Sequence, residues 1–289
     1  METTELLKKV RQIEIKSRGL SANIFAGSYK TAFKGHGMSF AEVREYQYGD
    51  DVRDIDWNVT ARQNKPHIKI FEEERELTVM LLIDVSGSRE FGTVTRTKQE
   101  QITEIAATIA FSTIQNNDKI GVVFFSDRIE RYIPPQKGKK HVLAIISEML
   151  QFKPVQRGTD LNNVIQYVSN AQKKRCTTFL ISDFCDAKDY QSSLTIASRK
   201  HDVVAIQVYD QRERELPDVG LMRVEDAETG QERWIDTSSA KVRNAYKEWF
   251  ANLQQNMQQA FLRSGVDNAS ISTDDDFVPA LLGLFKKRV

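Results

Sequence analysis

The chain has 289 residues, of which 40% are hydrophobic and 28% charged, and its formal net charge at pH 7 is +1. This composition is ordinary for a globular protein and excludes a whole-chain field that would attract nucleic acid or anionic lipid. No sequence run approaches the roughly 20 apolar residues of a spanning helix, and the N-terminus lacks the apolar core of a secretory signal. Two cysteines, Cys176 and Cys185, indicate reduced thiols in a cytosolic protein. We therefore expect a cytoplasmic protein without a direct membrane span.

The first 76 residues carry mixed signals. Apolar residues near helical spacing predict an amphipathic helix within residues 1–20. Residues 66–72 alternate apolar and polar side chains, which is typical of a half-exposed strand. We expect residues 1–76 to form an N-terminal segment with accessory strands, and a small β-rich layer.

A dense acidic cluster follows residue 47, and it consists of Asp50, Asp51, Asp54 and Asp56. Arg44, Arg53 and Arg62 lie near it in the sequence. One interpretation is a second metal site. The interpretation we favour is a turn at residues 48–50, followed by ion pairs that fix the accessory layer.

From residue 77 onward the pattern alternates between strands and helices. We predict strands at 77–84, 119–126, 129–133, 177–182, 203–209 and 269–272. We predict helices at 94–116, 139–152, 161–173, 187–199, 239–263 and 277–287. Strands separated by helices indicate an α/β fold with a doubly wound, mostly parallel sheet between helical layers. Residues 77–289 would form this domain, with a hairpin inserted at about 219–236.

The first strand of this domain ends in a run of oxygen-bearing side chains. Residues 79–83 are continuously apolar, as in a strand buried on both faces, and Asp84, Ser86 and Ser88 follow. A buried carboxylate is costly unless it is paired, and Mg²⁺ and Mn²⁺ prefer oxygen ligands. Thr159 and Asp183 stand at other loop positions that an open α/β sheet brings to the same edge. The sequence therefore predicts a metal site there.

These residues carry a resemblance. Asp-x-Ser-x-Ser at 84–88, a threonine before a later helix and an aspartate after the next core strand resemble the metal-ion-dependent adhesion site of von Willebrand factor A domains, over residues 77–210. The resemblance implies that Asp84, Ser86, Ser88, Thr159 and Asp183 bind Mg²⁺ or Mn²⁺. The alternative is that both serines cap the following segment and that Asp183 caps a helix.

A second resemblance covers residues 44–57, 60–62 and 71–76. These blocks resemble the bacterial domain-of-unknown-function family fifty-eight, whose members carry a von Willebrand A-like domain and are commonly encoded beside MoxR-type AAA+ ATPases. Many members have membrane helices before this block, and this chain does not. That departure favours a soluble form.

The two resemblances together imply a non-enzymatic, metal-dependent protein-binding module. It would act as an adaptor or chaperone-like partner of a MoxR-type AAA+ ATPase, or bind other von Willebrand A proteins of the same operon. The partner would offer an acidic side chain to the metal. The alternative is a metal-dependent phosphohydrolase with Asp84 as nucleophile. Against it, position 86 holds a serine where phosphoaspartyl hydrolases place a second carboxylate, and no Gly-x-Ser-x-Gly elbow or Walker loop is present.

Overall fold

The computed structural model describes residues 10–17, 19–20, 38–73, 77–92, 96–186 and 188–288. The chain divides into two compact units, residues 33–77 and residues 1–32 with 78–289. Residues 10–17 are helical, within the range predicted for an N-terminal helix. The predicted division into 1–76 and 77–289 stays a prediction, and the two units are described separately below.

The smaller unit is built on one antiparallel strand pair. Its elements are β1 (Met38–Glu45), α1 (Trp57–Gln63) and β2 (His67–Glu73). β1 pairs with β2 so that Glu45 lies opposite His67, and a bulge interrupts the register after Phe40. The strand predicted at 66–72 is therefore confirmed.

The acidic cluster in the smaller unit is satisfied locally. The Arg44 guanidinium donates two hydrogen bonds to the Asp50 carboxylate, at 2.7 and 2.8 Å. Asp51 and Asp56 accept hydrogen bonds from backbone N–H groups of the turns that follow them. These contacts favour the interpretation as a turn and ion pairs over a second metal site.

The larger unit alternates strands and helices. Its strands are β3 (Thr78–Asp84), β4 (Lys119–Phe125), β5 (Ile129–Gln136), β6 (Thr177–Ser182), β7 (Asp202–Tyr209), β8 (Leu221–Glu225), β9 (Glu232–Asp236) and β10 (Asp267–Ser272). Its helices are α2 (Lys98–Asn116), α3 (Lys139–Gln151), α4 (Leu161–Ala171), α5 (Gln191–Lys200), α6 (Ala240–Ser264) and α7 (Phe277–Lys286).

Six strands form the central sheet in the order β10-β7-β6-β3-β4-β5. All neighbours pair parallel except β5, which runs antiparallel to β4 at one edge. The chain moves from β3 to β4 on one side, and later places β6 and β7 on the other. β3 and β6 therefore flank the topological switch point, where open α/β sheets bind ligands beyond the carboxyl ends of the strands.

Both faces of the sheet are covered. On one face, Met80 and Leu82 pack in a buried cluster with residues from α4, α5 and α6. On the other, Phe179 of β6 meets Phe285 of α7 edge to face, with ring centroids 6.4 Å apart. β3 is consequently buried along nearly its whole length, which explains its continuous apolar run. The expected α/β fold, with a mostly parallel sheet between helical layers, is confirmed.

Two predicted boundaries moved for identifiable reasons. α2 begins at Lys98 rather than 94, because Thr97 and Glu100 form a capping box. β5 continues through Pro134 and Pro135 to Gln136 instead of ending at 133, since an edge strand tolerates proline. Among the described helices, none combines the length and apolarity needed to cross a membrane.

The predicted hairpin is also present. β8 and β9 pair antiparallel as a separate two-stranded sheet, with Leu221 opposite Asp236 and Glu225 opposite Glu232. Residues 226–231, called the hairpin tip below, connect the two strands. Its position matters for the site described next.

Candidate metal site at the carboxyl ends of the strands

Asp84 is the last residue of β3 and only 3% exposed. Its carboxylate accepts hydrogen bonds from the Ser182 hydroxyl at 2.5 Å and from the Ser86 backbone N–H at 2.9 Å. Burial, and secondly the charge of Asp183, raise the pKa of Asp84 to about 6. A buried carboxylate of this kind is stabilised when a cation binds beside it.

The two serines lie together on the loop after Asp84. The Ser86 and Ser88 hydroxyl oxygens are 3.1 Å apart. Ser86 occupies the position before a short 3-10 helix, Gly87–Glu90, yet its hydroxyl makes no capping hydrogen bond. The Ser88 hydroxyl lies near enough to Asp183 to help lower the pKa of that carboxyl. The capping alternative for Ser86 is therefore not what the structure shows.

Asp183 directly follows β6 and is 5% exposed. One carboxylate oxygen accepts the Cys185 backbone N–H at 3.0 Å, and the other accepts the Lys98 ammonium at 2.8 Å. Burial is the largest single influence on the pKa of Asp183 and would raise it. The charge and hydrogen bond of Lys98, together with the hydrogen bonds from Ser88 and Cys185, outweigh burial, so the pKa is lowered. Asp183 does not cap α5, whose preceding residue is Tyr190.

Lys98 is a charged group at the site that the sequence analysis missed. It is the first residue of α2, is 1% exposed, and also donates to Glu213 at 2.5 Å. Burial alone would lower its pKa, but the ion pairs with Asp183 and Glu213 raise it, so the amine is protonated. The pattern Asp210–Glu213 is a capping box and marks a local turn, yet nothing in it identifies Lys98 as the partner.

Thr159 comes from the loop before α4, whose first turn is capped by Asp160. The Thr159 side chain is 7% exposed, and its hydroxyl oxygen has no hydrogen-bond partner in the described part of the chain. A backbone hydrogen bond of 2.9 Å, from Gly87 N–H to the Arg157 carbonyl, joins this loop to the serine loop. Buried polar atoms normally have partners, so this hydroxyl is available to bind a ligand.

Glu228, on the hairpin tip, is a second residue that the sequence analysis missed. Its carboxylate interacts with the Thr159 hydroxyl, an approach that falls short of hydrogen-bond geometry, and with the charge of Asp183. Burial of the carboxylate raises its pKa, and the hydroxyl only partly opposes this. Residue 228 was expected only as part of a turn, and sequence alone does not show where a hairpin tip lands.

The five predicted residues thus converge on one edge of the sheet, and we call them the candidate site. Four are buried and Ser88 is half-buried. Among the described residues, no group of three or more His, Cys, Asp or Glu is arranged to hold a metal. The candidate site differs in kind, since it combines two carboxylates with three neutral hydroxyls. These are hard oxygen donors, and with the unpartnered Thr159 hydroxyl they fit Mg²⁺ or Mn²⁺.

Comparison with known proteins identifies a family for this chain but no activity. A model of the family described as "Protein of unknown function DUF58" matches residues 42–256. The uncharacterised protein Rv1480 of Mycobacterium tuberculosis is 29% identical over 291 aligned positions, covering 100% of this chain and 91% of that protein. The uncharacterised protein YeaD of Bacillus subtilis is 29% identical over 106 residues, which are 37% of this chain and 24% of YeaD.

The fold also has a counterpart among solved structures. An aerotolerance-related membrane protein from Bacteroides fragilis superposes with a TM-score of 0.51 at 14% identity. The match covers 73% of this chain and 99% of that one. At this identity the likeness concerns the fold alone.

Proposed function

We propose that this chain, which belongs to the DUF58 family of unknown function, binds a partner protein through a metal ion at the candidate site and does not catalyse a reaction. Asp84, Ser86, Ser88, Thr159 and Asp183 would hold one Mg²⁺ or Mn²⁺. The bound ion would supply an open coordination position for an acidic side chain of a partner. The three hydroxyls are neutral, so they leave the ion most of its charge to attract that carboxylate.

The observation that carries the proposal is the Thr159 hydroxyl. It is buried, and no partner satisfies it within the described residues. An isolated buried hydroxyl costs roughly 1–3 kcal/mol when left unsatisfied. A metal ion beside Asp84 and Asp183 would offset that cost and the cost of the buried carboxylates together.

The environment of Asp84 favours a ligand over a nucleophile. Both of its carboxylate oxygens are engaged, by Ser182 and by the Ser86 N–H, and the side chain is almost fully buried. Position 86, where phosphoaspartyl hydrolases place a second carboxylate, holds a serine whose hydroxyl lies beside Ser88, so no acid–base partner for a nucleophile stands there. The proposal therefore keeps Asp84 as a site residue of a binding module and not as a catalytic group.

The partner is drawn from the family resemblance and from the chemistry of the site. The resemblance points to a MoxR-type AAA+ ATPase, for which this chain would act as an adaptor or chaperone-like partner in the cytoplasm. The chemistry requires an accessible Asp or Glu on the partner's surface. Nucleic acid is a poor match, because the net charge is +1.

A binding experiment tests this function. The chain is immobilised and the MoxR-type ATPase of the same cell is passed over it in Mg²⁺ and then in EDTA. We expect capture in Mg²⁺, loss in EDTA, and loss for Asp84→Ala. Asp56→Ala, which changes a carboxylate of the acidic cluster, is the matched control and should bind as the wild type does. Equal capture with and without Mg²⁺ would refute the proposal.

A further inference from the structure

The hairpin tip is packed tightly against the loop of the candidate site. A Cβ atom placed on Gly87 would lie 2.1 Å from the carbonyl oxygen of Ala227 and 3.5 Å from the Cβ of Arg157. No side chain fits in that space, so glycine is required at position 87 by the close approach of the tip. The loop that carries Ser86 and Ser88 is therefore in direct contact with the hairpin.

The tip itself is well ordered by hydrogen bonds. The Asp226 carboxylate accepts from the backbone N–H groups of Glu228 and Thr229 at 3.0 and 2.9 Å. The Gly230 N–H donates to the Asp226 carbonyl at 2.8 Å, and Gly230 adopts φ +70°, a conformation that suits glycine. This turn fixes the backbone of Glu228 next to Ala227, whose carbonyl lies against Gly87 of the serine loop.

The surroundings of the Glu228 carboxylate call for a cation. Partial burial has the largest influence on the pKa of this carboxyl and raises it, although the residue as a whole is exposed. The Thr159 hydroxyl opposes this, and the charges of Asp183, Asp186 and Asp226 raise the pKa further. A carboxylate aimed at other carboxylates is unfavourable unless positive charge lies between them. The unpartnered Thr159 hydroxyl, more than nine-tenths buried, is an independent sign that a ligand belongs at the same point.

We propose that Glu228 is an internal ligand of the candidate site, occupying the position that a partner's acidic side chain would take. This inference rests on the proposed function and adds its regulation. With the tip in place, the chain satisfies its own metal and docking is suppressed. A partner carboxylate binds when the tip moves away.

The attachment of the tip is suited to such a release. Arg157 of the Thr159 loop forms an ion pair with Glu225, the last residue of β8 before the tip, at 3.5 Å. Both side chains are more than half exposed. Exposed ion pairs of this kind contribute little to the stability of a protein. The base of the hairpin is held more firmly, because Thr237, fully buried, donates to the Gly220 carbonyl from both its N–H and its hydroxyl. The tip can therefore leave while the base stays.

The hydration of bound Mn²⁺ tests the internal ligand. Mn²⁺ is added to the full chain, and water-proton relaxation counts the waters on the bound ion. Glu228→Ala should gain one water, because water replaces the lost carboxylate. Its Mn²⁺ affinity should fall about tenfold or more, the size of loss typical even for partners outside the ligand shell. Glu232→Ala, an exposed glutamate on β9, is the matched control and should match the wild type.

A peptide with a single glutamate provides the second measurement. In Mn²⁺, we expect it to displace water from the ion of Glu228→Ala at about a tenfold lower concentration than from the wild type, since the internal competitor is gone. Equal hydration, or equal peptide affinity, in wild type and Glu228→Ala would overturn the internal ligand while leaving the metal site intact. Failure of the wild type to bind Mn²⁺, or binding that survives Asp84→Ala, would instead overturn the proposed function.

Discussion

Two acidic regions of this chain look alike in sequence and differ in the structure. In the acidic cluster of the smaller unit, Asp50 is paired with Arg44, and backbone N–H groups satisfy Asp51 and Asp56. At the candidate site, Asp84 is buried with a raised pKa, and a neighbouring hydroxyl has no partner. The number of carboxylates therefore does not identify a metal site. Burial together with an unsatisfied oxygen atom is what distinguishes the candidate site from the acidic cluster.

The largest effect is expected where a buried charge loses its partner. Lys98→Met would leave the Asp183 and Glu213 carboxylates buried without their cation, so we expect the free energy of unfolding to fall by about 3–5 kcal/mol. Lys188→Met is the matched control, because its ion pair with Asp160 is as short but exposed, and it should cost less than about 1 kcal/mol. Urea denaturation in EDTA measures both. Similar losses for the two variants would contradict the account.

The pH dependence of stability isolates the burial of Asp84. The pKa of Asp84 is about 6 in the folded chain, against an ordinary value of 3.8. Between these pH values the folded state therefore binds a proton that the unfolded state does not. Stability of the metal-free protein should therefore rise as pH falls from 6 to 4, by up to about 3 kcal/mol. Asp183, with a lowered pKa, loses its contribution only at lower pH. Asp84→Asn should remove most of this rise in stability. Urea denaturation of both proteins at pH 4.5 and 7.5 measures it. If the variant's stability changes with pH as the wild type's does, the account of a buried Asp84 that is ionised above about pH 6 is wrong.

Thr159 offers a sharper test, because its hydroxyl has no hydrogen-bond partner among the residues that the structure describes. Thr159→Val should stabilise the metal-free protein by about 1 kcal/mol, and should weaken the stabilisation that Mg²⁺ gives. Thr103→Val is a control with the opposite sign, because the buried Thr103 hydroxyl donates to the Gln99 carbonyl at 2.7 Å. Thermal melts with and without Mg²⁺ measure both variants. A loss of metal-free stability in Thr159→Val would mean that its hydroxyl is already satisfied.

The smallest effect is expected from opening the acidic cluster. Arg44→Ala removes the cation paired with Asp50 but leaves the backbone hydrogen bonds of the cluster in place. We expect the number of Mn²⁺ ions bound per chain, measured by titration, to stay the same as in the wild type. A second bound ion would show that the cluster is a latent metal site.

Much of the large unit was predictable because its signals are local. The apolar run of β3, the turn before Asp160 and the strand ends at Asp84 and Asp183 placed the site residues at one edge of a parallel sheet. The sheet topology then brings them together. Helix starts were less accurate, since the capping box at Thr97 and the first turn of α5 were not recognised.

The long-range contacts could not be predicted from the sequence. Lys98 reads as an ordinary residue at a helix start, and only the fold carries it to Asp183. Glu228 reads as a turn residue of a charged hairpin, and its position depends on the packing of the tip against Gly87. Lys98 is 85 positions from Asp183 in the sequence, and Glu228 is more than 40 positions from both Thr159 and Asp183, so no local pattern encodes these contacts.

The central claim is that this chain binds one metal ion at the carboxyl ends of β3 and β6. Calorimetric titration of Mn²⁺ into the full chain tests it most directly, with Asp84→Ala and Asp50→Ala as a matched pair of carboxylate variants. The account predicts one ion per chain for wild type and Asp50→Ala, and no binding for Asp84→Ala. Absence of binding by the wild type, or equal binding by Asp84→Ala, would contradict it.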